Sequence, residues 1–145
     1  MTDEQARRRF AMARIARLAT ADAGGHPHIV PMVFAVASGR DAGADTVYSA
    51  VDAKPKRSTS LRRLANIAAN PRVAVLVDHY ADDWHALWWV RADGTGRILD
   101  TDEPEARDAI ARLVMRYPQY REQPPHGPVL AIDVARWSSW SAAGD

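Results

Sequence analysis

Five cations crowd residues 54 to 63: Lys54 and Lys56, the chain's two lysines, with Arg57, Arg62 and Arg63. No acid interrupts residues 53–67, whereas elsewhere arginine alternates with Asp and Glu. Leu61, Leu64, Ala65 and Ala68 recur at i, i+3, i+4 and i+7, which predicts an amphipathic helix over residues 59–69. Ser58 or Thr59 suits its N-cap, and Asn70-Pro71 ends it because a residue ahead of proline is driven out of the α region. The cations therefore gather at a helix N-terminus, where free N–H groups and the helix dipole already favour an anion. Arg62 and Arg63 oppose that dipole at a cost of roughly 0.3 kcal/mol or more each, and a bound anion reverses the sign. Two readings stand at this point: a phosphate cradle and a solvated helix face.

Tryptophan is the second chemical signal. Trp84, Trp88 and Trp89 cluster, and Trp137 and Trp140 lie near the end of the chain. A strand through residues 84–91 places Trp84 and Trp88 on one face and Trp89 with Arg91 on the other. So large an aromatic payload serves core packing, an interface or a planar ligand. The histidines, His26, His28, His79, His85 and His126, show no metal-ligand spacing backed by carboxylates. Glycine-rich phosphate loops, a G-x-S-x-G elbow and a dinucleotide fingerprint are all missing from the sequence, and with no cysteine there is no thiolate chemistry.

A length of 145 residues fits one domain spanning 1–145, and a net charge of +1 argues against a dedicated nucleic-acid binder. No apolar run has membrane-spanning length and the N-terminus has no apolar signal core, so the expectation is a cytoplasmic protein. Thr2 with Gln5 forms a capping-box pattern at the head of a helix over 3–16. A short strand in "ARLATAD" follows, then a turn at 23–27 and a strand over 28–37 in which Pro31 points to an edge, a bulge or a ligand-facing segment. The strand 46–51 returns from a hairpin loop. After the basic helix come a central-type strand over 72–80, a strand or hairpin over 84–99, and a helix from Asp102 and Glu105 to about Met115. Residues 117–128 read as a loop, and 129–141 as a last strand or bent pair. Short strands at hairpin spacing with few helices make an α+β barrel.

Four segments in this order, "GGHPHIVPMVFAV", "VYSAVDAKPK", "LRRLANIAANPRVAVLVDHY" and "DDWHALWWVRADGTGRIL", resemble the pyridoxamine 5′-phosphate oxidase-like split β-barrel proteins. More narrowly the chain resembles the PPOX-class F420-dependent oxidoreductases over about residues 5–140. The resemblance implies an FMN-binding-like antiparallel split barrel with short flanking helices, and a homodimer with two cofactors at its interface. It implies that a basic residue near the start of the short helix holds the cofactor phosphate, a place matched by Arg62 and Arg63. Lys54, Lys56, Arg57 and Ser58 compete for that role, with Arg63 and Lys56 foremost. The family's ring-lining positions match His28, Pro31 and Met32 on the second strand, and Ser49, Ala50 and Val51 on the strand before the basic loop. A tryptophan often supplied by the other subunit matches Trp84. Arginine stands where the family usually has lysine, which keeps charge and changes geometry.

The implied chemistry is hydride transfer between coenzyme F420 and a small electron-poor molecule, with His28, Tyr48 and Tyr80 as nominees for a proton donor. An FMN enzyme of the pyridoxamine-phosphate oxidase type and a cofactor-binding protein without turnover are the alternatives. Neither nucleic acid nor a membrane is expected as a partner.

Overall fold

The computed structural model describes residues 1–40, 44–51 and 59–144. The elements in chain order are α1 (Asp3–Met12), β1 (Ala16–Ala21), β2 (Pro27–Met32), β3 (Ala35–Arg40), β4 (Ala44–Ala50), α2 (Thr59–Ala69), β5 (Arg72–His79), β6 (Trp88–Leu99), α3 (Pro104–Arg116), α4 (Pro118–Glu122) and β7 (Val129–Ser141). The sheet has seven strands in the order β2-β1-β5-β6-β7-β4-β3, and every ladder is antiparallel.

Its two edge strands, β2 and β3, are consecutive in the chain, separated by Val33 and Phe34 alone. Laid flat, seven strands at about 4.8 Å spacing put their edges about 29 Å apart. The chain from Met32 to Ala35 reaches at most about 11 Å. The sheet therefore has to curl until its edges meet, which produces the α+β split barrel. Pro31 lies on an edge strand, where the missing N–H breaks no interior ladder.

Alternation along the strands sorts side chains between the barrel interior and its outside. Leu18, Val47, Val75, Val90, Leu130 and Ile132 fill the interior, closed by Phe10 of α1 and Ile67 of α2. Phe10 meets Phe34 at 5.2 Å and Trp137 at 4.9 Å, both edge-on. Outside, α3 lays Ala106, Ala109 and Leu113 over Tyr48, Leu99, Val129 and Ala131. β4 is thus covered on both faces.

A polar bracket fixes α3 to the sheet. The Arg97 guanidinium donates to Glu105 at 2.9 and 3.0 Å and to Asp133 at 2.6 and 3.0 Å. Tyr48 donates to Glu105 at 2.7 Å, and Thr46 to Asp133 at 3.2 Å. Hydrogen bonding to Glu105, then to Asp133, holds the guanidinium further above its ordinary range, against the opposing effect of its burial.

Several local features depart from the sequence expectation. α1 forms its capping box through Thr2 and Gln5 but stops at Met12, because the Ala13 and Arg14 carbonyls are bonded by α3 side chains. The run 28–37 is two strands rather than one, broken at Val33–Phe34. β6 is one strand: Asp93-Gly94 makes a bulge against β7 rather than a hairpin turn. Glu103 caps α3 without a side-chain bond, since Glu105 faces Arg97 instead of completing a box with Asp102. Trp84 sits in a 3-10 turn (Trp84–Ala86) ahead of β6, so it shares no strand face with Trp88. Trp88 packs on the interior, and Trp89 lies beside Arg91 on the outside. Residues 118–122 are helical rather than loop.

Glycine is required at the bulge. A Cβ on Gly94 overlaps the Asp133 carbonyl oxygen and lies 3.1 Å from the Val134 Cα, both backbone atoms of a paired strand. Gly94→Ala should lower stability by about 2 kcal/mol or more in urea unfolding. A loss below about 0.5 kcal/mol, the size of an ordinary surface change, would show that β7 yields.

Candidate functional site

Where the sheet edges meet, a pocket of about 240 Å³ opens to solvent. The end of β2 supplies Pro31 and Met32, and the corner supplies Val33. The end of β4 supplies Ser49 and Ala50; α2 supplies Arg63, the α1–β1 turn Ile15, and α4 Tyr120. The lining mixes apolar side chains with the Ser49 hydroxyl, the Tyr120 ring and one guanidinium.

Each wall has a visible cause. Met32 is buried while Pro31 and Ile29 face outward, as β2 alternation requires. The Ser49 hydroxyl donates to the Val33 carbonyl at 2.8 Å, joining β4 to the corner. The Tyr117 hydroxyl accepts the Phe34 N–H at 3.1 Å, and Arg116 donates to the Phe34 carbonyl at 2.7 Å. α2 is pinned by the buried Asn66 amide, which donates to the Thr20 hydroxyl at 3.0 Å. Its Ile67 packs over Gly96, where a Cβ comes within 3.0 Å of the Ile67 Cγ2. The pin sets Arg63, one turn earlier, into the pocket.

Of the residues singled out in the sequence, the structure brings Pro31, Met32, Ser49, Ala50 and Arg63 together around the pocket. Arg62 is exposed and lines none of it. His28 faces the barrel interior opposite Thr20, and its Nδ1 is buried with no hydrogen-bond partner among the described residues. Val51 follows β4 with its N–H on the Pro128 carbonyl, packed so closely under Gly127 that a Cβ there would stand 2.7 Å from its own. Trp84 projects into solvent at 75% exposure, away from the lining residues of this chain. Lys54, Lys56, Arg57 and Ser58 lie outside the described residues. Among the proton-donor nominees, Tyr48 is fully buried with its hydroxyl on Glu105, and Tyr80 is exposed outside the lining.

Ile15, Val33 and Tyr120 are pocket residues that sequence reasoning missed. Tyr120 had a readable signal, because Pro118 at the start of its run favours a first helical turn. Ile15 and Val33 had none, since their place depends on the long-range corner. Among the described residues no cluster of three or more His, Asp or Glu side chains is placed to hold a metal ion, and no helix is long and apolar enough to cross a membrane.

The fold and pocket define a split-barrel protein with a small, open pocket of mixed polarity at the seam. Residues 2–141 match the model of the pyridoxamine 5′-phosphate oxidase family, and the chain belongs to that family. Among solved structures, a conserved hypothetical protein from Mycobacterium tuberculosis is similar at 23% identity and TM-score 0.71, over 98% of this chain and 86% of that one. A FAD-binding protein from Mesorhizobium loti is similar at 19% identity and TM-score 0.70, over 96% and 94%. HutZ, a heme storage protein from Vibrio cholerae, is similar at 18% identity and TM-score 0.67, over 97% and 95%. At such identities the likeness is one of fold. No functionally curated protein matches the sequence.

The Asn66 pin is testable without a ligand. Asn66→Ala should cost about 1–2 kcal/mol in urea unfolding, the worth of a buried hydrogen bond and the group it leaves unpaired. It should also raise amide exchange along α2 before the sheet; uniform exchange would show that α2 is held by apolar packing alone.

Proposed function

We propose that the pocket receives the ring of a phosphate-bearing flavin-type cofactor, coenzyme F420 with FMN as the alternative. On this reading the chain is an oxidoreductase acting on a small electron-poor organic substrate. The observation that carries it is the convergence of Pro31, Met32, Ser49, Ala50 and Arg63 from three separate elements on one pocket. The residues present fit such a group: the apolar side chains of Ile15, Met32 and Val33 suit a planar ring, and a half-buried guanidinium suits a phosphate. When bound, the cofactor supplies hydride chemistry that no side chain possesses.

The chain's own work is to bind, orient and exclude water. Arg63 neutralises phosphate charge, and arginine does so with a planar fork where lysine offers a point charge. Lys54, Lys56, Arg57 and Ser58 flank the same helix start and belong to the proposed cradle by sequence position. Among the described lining residues there is no carboxylate or imidazole, so on this reading a proton needed by a substrate comes from solvent or from the Tyr120 phenol. That scarcity of acid–base groups also favours a second reading, a cofactor-binding protein without turnover.

A second copy of the chain is the proposed partner. The pocket's about 240 Å³ falls below the roughly 300–1,000 Å³ of a complete ligand site. Ile29, at 65% exposure, sits with Ala19 and Ala74 in one row across the outward face. The Arg17–Asp78 pair and the Arg91–Asp93–Arg136 cluster interleave both signs beside that row, a pattern that a two-fold axis makes self-complementary. Trp84 has the exposure of an anchor that finishes a neighbour's site.

Titration with F420, FMN and riboflavin, read by fluorescence polarisation, should give saturable binding of the phosphate-bearing cofactors and weaker binding of riboflavin. Arg63→Ala should reduce that phosphate preference by about tenfold; an unchanged ratio removes Arg63 from the phosphate. Oxidation of reduced F420 by nitroaromatic or quinone acceptors separates an enzyme from a cofactor-binding protein. Light scattering should return twice the protomer mass, with Ile29→Glu shifting it toward the monomer; a wild-type monomer refutes the dimer.

A further inference from the structure

The α3–α4 junction contacts more of the pocket's support than any single wall needs. Tyr117 is 8% exposed and ends α3. Its hydroxyl accepts the Phe34 N–H at 3.1 Å and has two acceptors in reach, the Phe34 carbonyl at 2.9 Å and the Arg14 carbonyl at 3.0 Å. One hydroxyl has one proton. The Phe34 carbonyl already receives Arg116 at 2.7 Å, so the proton serves Arg14 best. Phe34 adjoins Val33, Arg14 adjoins Ile15, and Tyr120 follows Tyr117 by one helical turn with its ring edge-on at 6.1 Å. Val33, Ile15 and Tyr120 are all pocket walls.

We propose that the Tyr117 hydroxyl is a positioning group that fixes the spacing of these three walls, and with it the width of the slot open to a planar ligand. The inference rests on the flavin-type reading of the pocket and names what sets its shape. Neither Phe34 nor Arg14 has a ladder partner at these atoms, because Phe34 falls in the break between β2 and β3 and Arg14 between α1 and β1. Removing the hydroxyl leaves the Phe34 N–H and the Arg14 carbonyl seeking water at the base of the pocket. The ring itself is held separately, between the Arg14 guanidinium at 4.6 Å and that of Arg116 at 5.2 Å. Tyr117→Phe therefore tests the hydroxyl with the packing retained.

The test compares wild type, Tyr117→Phe and Arg97→Met, the last cutting the α3 bracket at a residue that does not line the pocket. Three measurements are made: affinity for F420 and FMN, the visible absorption band of the bound cofactor, and amide exchange. Tyr117→Phe should weaken the cofactor by about five- to tenfold, the worth of one buried hydrogen bond. It should also shift the absorption band and speed exchange at Phe34. Arg97→Met should lower the unfolding midpoint while leaving affinity and band unchanged. Wild-type affinity and band in Tyr117→Phe overturn the proposal, as does an equal affinity loss in Arg97→Met at equal loss of stability. Should wild type bind neither cofactor, the flavin reading fails on its own. The positioning role is then decided by NMR: faster Phe34 exchange with displaced amide signals at Ile15 and Tyr120 upholds it, and unchanged signals overturn it.

Discussion

A two-residue connection between the opposite edges of a seven-stranded sheet governs this molecule. Val33 and Phe34 cannot bridge a flat sheet, so the closed curvature of the barrel follows from chain length before any side chain is considered. The same corner leaves backbone groups outside any ladder, and buried backbone groups need partners. α3 supplies them through Tyr117 and Arg116, and β4 supplies one through Ser49. The pocket lies beside this corner, where α3 and β4 converge to satisfy it.

Arginine does most of the fastening. Arg97 spans two carboxylates with its planar fork, a geometry a lysine cannot reproduce. Arg116 sits against the rings of Phe34 and Tyr117 and donates only to carbonyls in the hydrogen bonds described, to Phe34 and Ala13. Burial, with Arg14 nearby, pulls its guanidinium below the ordinary range, yet arginine stays charged through any physiological pH. The charge also opposes the negative C-terminal end of α3, where Arg14 caps the Arg116 carbonyl and Arg121 that of Met115. The corner is thus tied by a group whose charge does not change across the neutral range.

What the sequence disclosed divides along contact range. Helix α2 lies over 59–69 as its periodicity required, and the strands over 72–80 and 129–141 appear within a residue or so. These signals are local: apolar spacing, caps and proline. The break at Val33–Phe34 was invisible because residues 29–37 read as one uninterrupted apolar run, and the break is imposed by closure and by partners more than 80 positions away. The end of α1 failed for the same reason. In the site, Pro31, Met32, Ser49, Ala50 and Arg63 were reached through resemblance and position, whereas Ile15, Val33 and Tyr120 enter through the corner alone. Trp84 was placed on a strand by its aromatic neighbours, but Asp83, accepting the His85 N–H, starts a 3-10 turn there instead.

The five clustered cations posed a choice between a phosphate cradle and a solvated face. In α2 the two arginines part: Arg62 is solvated, and Arg63, adjacent in sequence and about 100° around the helix, lines the pocket. The apolar stripe that docks α2 fixes this rotation, since Asn66 and Ile67 face the barrel and Arg63 precedes them by three and four positions. Burial of Ile67 therefore determines which arginine faces the pocket. Among the described lining residues such a pocket presents one guanidinium, the Tyr120 phenol and the Ser49 hydroxyl. Its walls are tied together at the corner, where Ser49 holds the Val33 carbonyl and Tyr117 the Phe34 N–H.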